Sequence, residues 1–375
     1  MRDFGLEVFF STWEFKARHH MTASDVESLS LSQLLEMASP ADREAFDSLW
    51  LGYTQTWGDP ILRDEIAQTY QQMKQDNILC FAGAGEGIYA VMKTLLGPDD
   101  HMIVPVPNYQ SAETIPLSIC AVTGVTMDYD SQSGWSLDID AIKAALRPNT
   151  KAISVNFPHN PTGHLLDSDT LDALISLCRH HGLTLFSDEV YRGIELNLDD
   201  QMPQIADIYE KGVSLNVMSK AYGLPGLRIG WIASQDRKLL EKAERYKHYL
   251  SICNSGPSEQ LSVIALRARQ KILSRNRQIM ADNLLLLEDL FNDYPHLFEW
   301  HRPKGGCVAY PAYKGGDGVE AFTRKLVEES GIILLPSSIY HSEVADSPAG
   351  HFRIGFGRDS VFKEGISALR THLEA

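Results

Sequence analysis

The chain has 375 residues, 44% of them hydrophobic, which is enough for a sizeable core in one large domain or two moderate ones. Lys plus Arg number 34 against 49 Asp plus Glu, and a formal net charge of −15 repels nucleic acid and anionic membrane. No apolar run approaches the roughly 20 residues of a membrane span, no basic-then-apolar leader opens the chain, and five scattered cysteines without CxxC spacing argue against a disulfide frame or zinc knuckle, so a cytoplasmic protein with buried, reduced thiols is expected.

In chain order, the first 45 residues hold an apolar helical pattern at 31–37 and precede the first candidate sheet strand. Helical periodicity follows at 60–74, 87–96, 168–180, 237–249, 258–271 and 277–291. Short apolar runs at 78–82, 102–106, 152–157, 183–186 and 213–218 alternate with these helices, and a further strand starts at Ile229. Such alternation predicts an α/β fold with a mostly parallel sheet covered on both faces. Beyond residue 291, Pro and Gly punctuate the chain before a helix from Val319 and strands at 332–335 and 351–356. The expected division is a large α/β domain over 46–290 and a smaller α+β domain made of 1–45 with 291–375. The cluster Arg267, Arg269, Lys271, Arg275, Arg277 reads as a solvated helical face, and His19-His20 and His180-His181 lack a convincing set of metal ligands.

The ends of the apolar runs carry the chemistry. Run 78–82 leads into Gly83, Ala84, Gly85, Glu86 and Gly87 ahead of a helix, where backbone N–H groups and the helix N-terminus suit an anion. The alternative is a plain packing turn; a dinucleotide fingerprint fails because Gly87 comes one residue early. Run 102–106 leads to Tyr109, an aromatic at the sheet edge where ligands sit in open α/β sheets. Run 152–157 is followed by Pro158, His159, Asn160 and Pro161, with Asn160 biased to extended backbone by the following proline. Run 183–186 ends in Ser187, Asp188, Glu189, Val190 and Tyr191, and a carboxylate closing an apolar strand needs a cationic or strong hydrogen-bonding partner. Run 213–218 enters SKAYGLPGLRIGW, Ser219 to Trp231, with Lys220 at the strand end and Arg228 beyond the turn. A lysine desolvated there has its pKa drawn down and can form a Schiff base. Phosphate cradle, aromatic, amide, carboxylate with phenol, and lysine with arginine are together the demands of pyridoxal phosphate.

NPTG at Asn160 to Gly163, SDEVY at Ser187 to Tyr191 and SKAYGLPGLRIGW make nearly the whole chain resemble a fold type I pyridoxal-phosphate enzyme, the class I/II aminotransferase family. The resemblance implies a seven-stranded, mostly parallel sheet sandwiched by helices. It implies Lys220 as Schiff-base lysine and proton shuttle, Asp188 as partner of the pyridinium, and Asn160 and Tyr191 as donors to the ring oxygen. Tyr109 would stack on the ring, while Ala84, Gly85, Ser219 and Arg228 would hold the phosphate. Tyr53 would reach the phosphate of a neighbouring subunit in a homodimer with shared sites. Arg353, in HFRIGF, matches the arginine for the substrate α-carboxylate. One departure is Val217, where many relatives have Ser or Thr on the phosphate.

VNFPHNPTG and the PKGG turn before Cys307 are most similar to the capreomycidine synthase-like branch, which acts on arginine derivatives. Glu7, in FGLEVFF, stands where arginine-handling relatives carry an acidic residue near substrate. The implied function is amino transfer from an L-amino acid, in this branch an arginine-like one, to a 2-oxo acid. The alternatives are a lyase or cyclase, or an oxidase, on an arginine derivative. A ligand-sensing regulator of the same fold needs a DNA-binding domain and finds no basic extension here.

Overall fold

Seven short runs form the central sheet in the computed structural model, which describes residues 1–375 apart from the Ser360 side chain. Numbered in chain order within that sheet, they are β1 Ile78–Phe81, β2 His101–Val106, β3 Ala121–Thr126, β4 Thr150–Asn156, β5 Thr184–Asp188, β6 Gly212–Val217 and β7 Gly230–Ser234. Their order across the sheet is β1-β7-β6-β5-β4-β2-β3. Only β7 runs antiparallel to its neighbours, β1 and β6. Successive side chains point to opposite faces, so Met102 and Val104 of β2 join one hydrophobic cluster while Ile103 joins the other. Both faces are buried, which is why these runs read as continuous apolar stretches.

Two differences from the sequence reading have physical causes. β3 escaped notice because it is an edge strand, half-exposed, with Gly124 breaking its pattern. β5 runs on through Ser187 and Asp188, since pairing of Asn156 with Asp188 holds those polar residues in register.

Helices cover the faces, among them Ala84–Leu95, Ser168–His181, Arg237–Lys247 and Gly256–Arg267. The helix expected over 60–74 ends at Ala67. Asp207 captures the N–H groups of Gln71 and Gln72, at 2.9 Å each, and holds the chain off the helical path. The helix expected from 277 starts eight residues earlier and spans Arg269–Asp293.

The arginine cluster is a solvated face only in part, with Arg267 and Lys271 exposed and Arg269, Arg275 and Arg277 half-buried. Arg269, Arg275 and Arg277 donate to the carbonyls of Leu266, Glu27 and Gly193, and Arg267 pairs with Asp42 and Glu65. Four of the five free cysteines are buried, while Cys253 is half-buried.

C-terminal strands Val308–Ala309, Phe352–Gly355 and Leu335–Pro336 form a separate three-stranded antiparallel sheet. His19–His20 pairs parallel with Ile332–Ile333, and Gly355 N–H donates to the Met21 carbonyl at 2.8 Å, so both chain ends meet here. Among the described residues no helix is long and apolar enough to cross a membrane.

Candidate active site

An antiparallel β7 begins where its parallel neighbours end: Gly230 lies opposite Val217 of β6 and Phe81 of β1. That single reversal brings the Lys220–Arg228 loop, the glycine turn after β1 and the ends of β4 and β5 to one edge. A cavity of about 410 Å³ opens there, lined by Ala84, Gly85, Tyr109, Asn160, Asp188, Tyr191, Ser219, Lys220 and Arg228, with Glu7 at its mouth. Of the residues singled out from sequence, only Tyr53 and Arg353 lie outside the lining. Tyr53 is 86% exposed, whereas Arg353 is wholly buried behind Asn160.

Lys220 Nζ donates to Ser24 Oγ at 2.8 Å, and burial draws the amine below the ordinary lysine range, opposed chiefly by nearby Asp25. The Leu224 N–H bonded to the Met218 carbonyl at 2.9 Å closes the loop that fixes this lysine. Asp188 accepts from the Val190 N–H at 3.2 Å, with no ion-pair partner among the described residues. Burial pushes its carboxyl up to about 6. This is a carboxylate in want of a cation.

Asn156, which ends β4, holds the neighbouring loops: its Nδ2 donates to the Asp188 carbonyl at 2.8 Å and its Oδ1 accepts from Asn160 N–H at 2.9 Å. Asn160 Oδ1 accepts from Arg353 Nη1 at 3.1 Å and the Tyr340 hydroxyl at 3.3 Å. Its Nδ2 donates to no protein atom among the described residues, which leaves it for a ligand. Tyr191 hydroxyl donates to the Ser24 carbonyl at 3.2 Å.

Arg353 also donates Nη2 to the Thr22 carbonyl at 2.7 Å and has no carboxylate partner among the described residues. A buried guanidinium held only by neutral oxygens suits an incoming carboxylate. His159 joins two loops, its Nε2 donating to the Pro107 carbonyl at 3.0 Å and its Nδ1 accepting from Thr162 Oγ1 at 2.7 Å. Burial lowers its pKa to about 3, so the imidazole is neutral and this tautomer is set by the carbonyl.

Arg228 adopts left-handed backbone, φ 52°, and its guanidinium fills the place a Gly83 side chain would take. Gly83 itself has φ 93°. A Cβ on Gly230 would stand 2.8 Å from the Gly83 carbonyl carbon and 2.9 Å from Ala84 N, so glycine is required for the close approach of β7. A Cβ on Gly85, by contrast, meets no protein atom within 4 Å. Glu86 is turned away, its carboxylate accepting from the N–H groups of Ala82 and Ser251. The cradle is therefore free of negative charge. Gly83→Ala should cost about 1–3 kcal/mol of stability through strain at positive φ, and should weaken phosphate-ester cofactor binding about tenfold by displacing Arg228. Thermal unfolding and a cofactor titration read the two effects separately.

Sequence reasoning missed Phe10, Glu14, His20, Ser24, Asp25 and Arg358, all on the cavity wall. Asp25 and Arg358 form an ion pair at 3.0 Å. Asn156 carried a usable signal, ending an apolar run at the edge where Asp188 ends the next. The N-terminal residues carried none, because nothing local ties them to that edge.

The aminotransferase class I and II profile matches residues 25–369. The chain is a class I/II aminotransferase. The aminotransferase is 29% identical to the arginine–pyruvate transaminase of Pseudomonas aeruginosa, over 84% of this chain and 81% of that protein. It is 25% identical to capreomycidine synthase of Streptomyces vinaceus, over 98% of this chain and 93% of that protein. Among solved structures, a PLP-dependent aminotransferase from Streptococcus suis 89-1591 superposes with TM-score 0.91 at 28% identity, covering 100% of this chain and 98% of that one. The PLP-dependent cyclase OrfR superposes with TM-score 0.89 at 25% identity, covering 100% and 97%. The cofactor of the aminotransferase is pyridoxal phosphate, and its sheet is the seven-stranded, mostly parallel sheet of that fold.

Proposed function

We propose that this aminotransferase takes the amino group of an L-amino acid with a cationic, arginine-like side chain, using Lys220, Asp188 and Tyr191 as catalytic residues. The observation that carries the substrate class is the position of Glu7, on the wall of the cavity that holds Lys220. The residues fit the cofactor. Gly83 to Gly85, Ser219 and Arg228 offer a cradle for its phosphate, Tyr109 a stacking face, Asn160 Nδ2 and, once turned from the Ser24 carbonyl, the Tyr191 hydroxyl donors for its ring oxygen, and Asp188 an anion for its ring nitrogen. Val217, on the cavity wall, offers no hydroxyl, so Ser219, Arg228 and the backbone carry the phosphate.

When bound, the cofactor supplies the electron sink for the Cα carbanion. Asp188 holds a proton at the ring nitrogen. Lys220 Nζ, its proton affinity lowered by burial, would take the Cα proton and return it on the far side of the amino nitrogen. Arg353 would take the substrate α-carboxylate once Asn160 Oδ1 and the Thr22 carbonyl release its guanidinium to the cavity. Amino transfer to a 2-oxo acid runs the same groups in reverse.

The working arrangement we propose is a cofactor-binding domain over 46–290, a smaller domain of 1–45 with 291–375, and a cytoplasmic homodimer. Support for the dimer comes from exposed Trp50, Leu51 and Tyr53 beside exposed Tyr249, Leu250 and Ile252, loops joined by Thr54 Oγ1 donating to the Asn254 carbonyl at 2.9 Å. Tyr53 would complete the neighbour's phosphate site.

Arginine added to the holoenzyme should convert the lysine-bound absorbance to that of the amine form and release a 2-oxo acid, while aspartate should do so far less readily. Glu7→Gln should raise the arginine concentration for half-conversion about tenfold, as expected for loss of one charge-assisted contact, and leave alanine conversion unchanged. Unaltered arginine affinity in that variant sinks the role of Glu7. A second reading, a lyase or cyclase on an arginine derivative, is supported by the likeness to capreomycidine synthase and OrfR. It requires a cyclised or eliminated product without accumulation of amine-form cofactor.

A further inference from the structure

The helix Gly5–Trp13 lays one face on the cavity. Glu7, Phe10 and Glu14 stand at i, i+3 and i+7, and Glu14, the C-cap, keeps α-helical backbone and donates its N–H to the Phe10 carbonyl at 2.9 Å. All three line the cavity of Lys220. The helix is clamped in place at its start. Gly5 N–H donates to Gln110 Oε1 at 2.9 Å, Gln110 Nε2 donates to the Asp3 carbonyl at 2.7 Å, and Phe4 packs edge-on to Tyr109 with ring centroids 5.1 Å apart. The stripe is thus held beside the cofactor's stacking residue.

Neither Glu7 nor Glu14 meets a Lys or Arg at ion-pair distance among the described residues. Glu14 has only His20, whose Nε2 lies 3.8 Å away. The His20 side chain is nine-tenths buried on the same wall, and its Nδ1 has no hydrogen-bond partner. Burial first, then the nearby Arg358 guanidinium, lowers its pKa to about 4, so His20 does not neutralise Glu14 at pH 7. Phe10 sits between the two carboxylates, its ring 5.3 Å from that of His20. The other cations of the cavity are committed. Arg228 faces the phosphate cradle, Lys220 is the reacting amine, and Arg358 is paired to Asp25.

We infer that Phe10, Glu14 and His20 join Glu7 in a side-chain subsite for a planar guanidinium, and that Phe10 and Glu14 determine specificity. Resting on the arginine-like reading above, this adds which residues grip the cation and why its shape matters. A guanidinium has five donors and no acceptor, matched by the carboxylates at either end of the stripe. Its flat face stacks on an aromatic ring, which a compact, strongly hydrated ammonium does less well.

Binding of 5-guanidinopentanoate, which is arginine without its α-amine and cannot react with the cofactor, is measured on the holoenzyme by calorimetry beside hexanoate, which lacks the cation. The wild type should prefer the guanidino acid. Glu14→Gln should weaken it ten- to a hundredfold and Phe10→Leu severalfold, with hexanoate binding unchanged as proof of an intact site. A wild type without that preference overturns both this inference and the arginine-like reading. A wild-type preference retained in both variants overturns this inference alone and leaves the reading standing.

Discussion

Lys220→Ala leaves holoenzyme turnover lower by at least the 10²- to 10⁴-fold that general base catalysis supplies, and the visible band of lysine-bound cofactor is absent at any cofactor concentration. Both losses have one cause. Lys220 Nζ is the amine of the cavity, desolvated and pointed by its bond to Ser24 Oγ. Lowered basicity keeps a larger share of the amine neutral near pH 7, able to accept the Cα proton. Added methylamine should restore part of the turnover in Lys220→Ala, because a free base can enter the space left by the side chain. Steady-state rates with and without methylamine test this, and wild-type turnover in the variant without it would end the assignment.

Asp188→Asn should move activity and stability in opposite directions. Without its ring-nitrogen partner, amino transfer should fall about 10³-fold, near the cost of losing one preorganised electrostatic group. Stability of the cofactor-free protein should rise. Burial raises the Asp188 carboxyl to about 6 in the fold, above its value in the unfolded chain, so the unfolded state loses its proton first as pH increases. Native stability from this group is therefore complete at low pH and lost between the unfolded value and pH 6. At pH 8 the cost amounts to at most about 3 kcal/mol, and solvent in the cavity reduces it. The melting temperature of cofactor-free Asp188→Asn should exceed that of the parent at pH 8, with the gap narrowing towards pH 4. A gap that widens towards low pH would show that burial does not dominate this carboxylate. Cofactor-loaded protein should show the reverse order, because the protonated ring nitrogen compensates the charge.

Much of the cavity was legible because it is built from strand ends. Residues following an apolar run lie at one edge of a parallel sheet by construction, so Tyr109, Asn160, Asp188 and Lys220 converge whatever the detailed packing. Gly83 was legible for a related reason: glycine readily adopts the positive φ that this strand-to-helix turn requires, φ 93°. β3 was missed because an exposed edge strand lacks the apolar run that buried strands need. Arg267 and Lys271 are exposed as charge along a helix suggests, but Arg269, Arg275 and Arg277 were misread because that pattern says nothing of the carbonyls across from it.

The sequence by itself determined the sheet class and the cofactor, and it picked out Lys220 and Asp188 as the candidate reacting amine and ring-nitrogen partner, since each depends on residues adjacent to a strand end. Tertiary structure alone decided what faces them. Ser24 meets Lys220 across 196 positions of chain, and Arg353 reaches Asn160 across 193. It placed the stripe of Glu7, Phe10 and Glu14 on the cavity wall through the clamp at Gln110, while Arg353 lies sealed behind Asn160. Such contacts arise when the two chain ends fold back together, and no local propensity or periodicity encodes which distant residue will arrive.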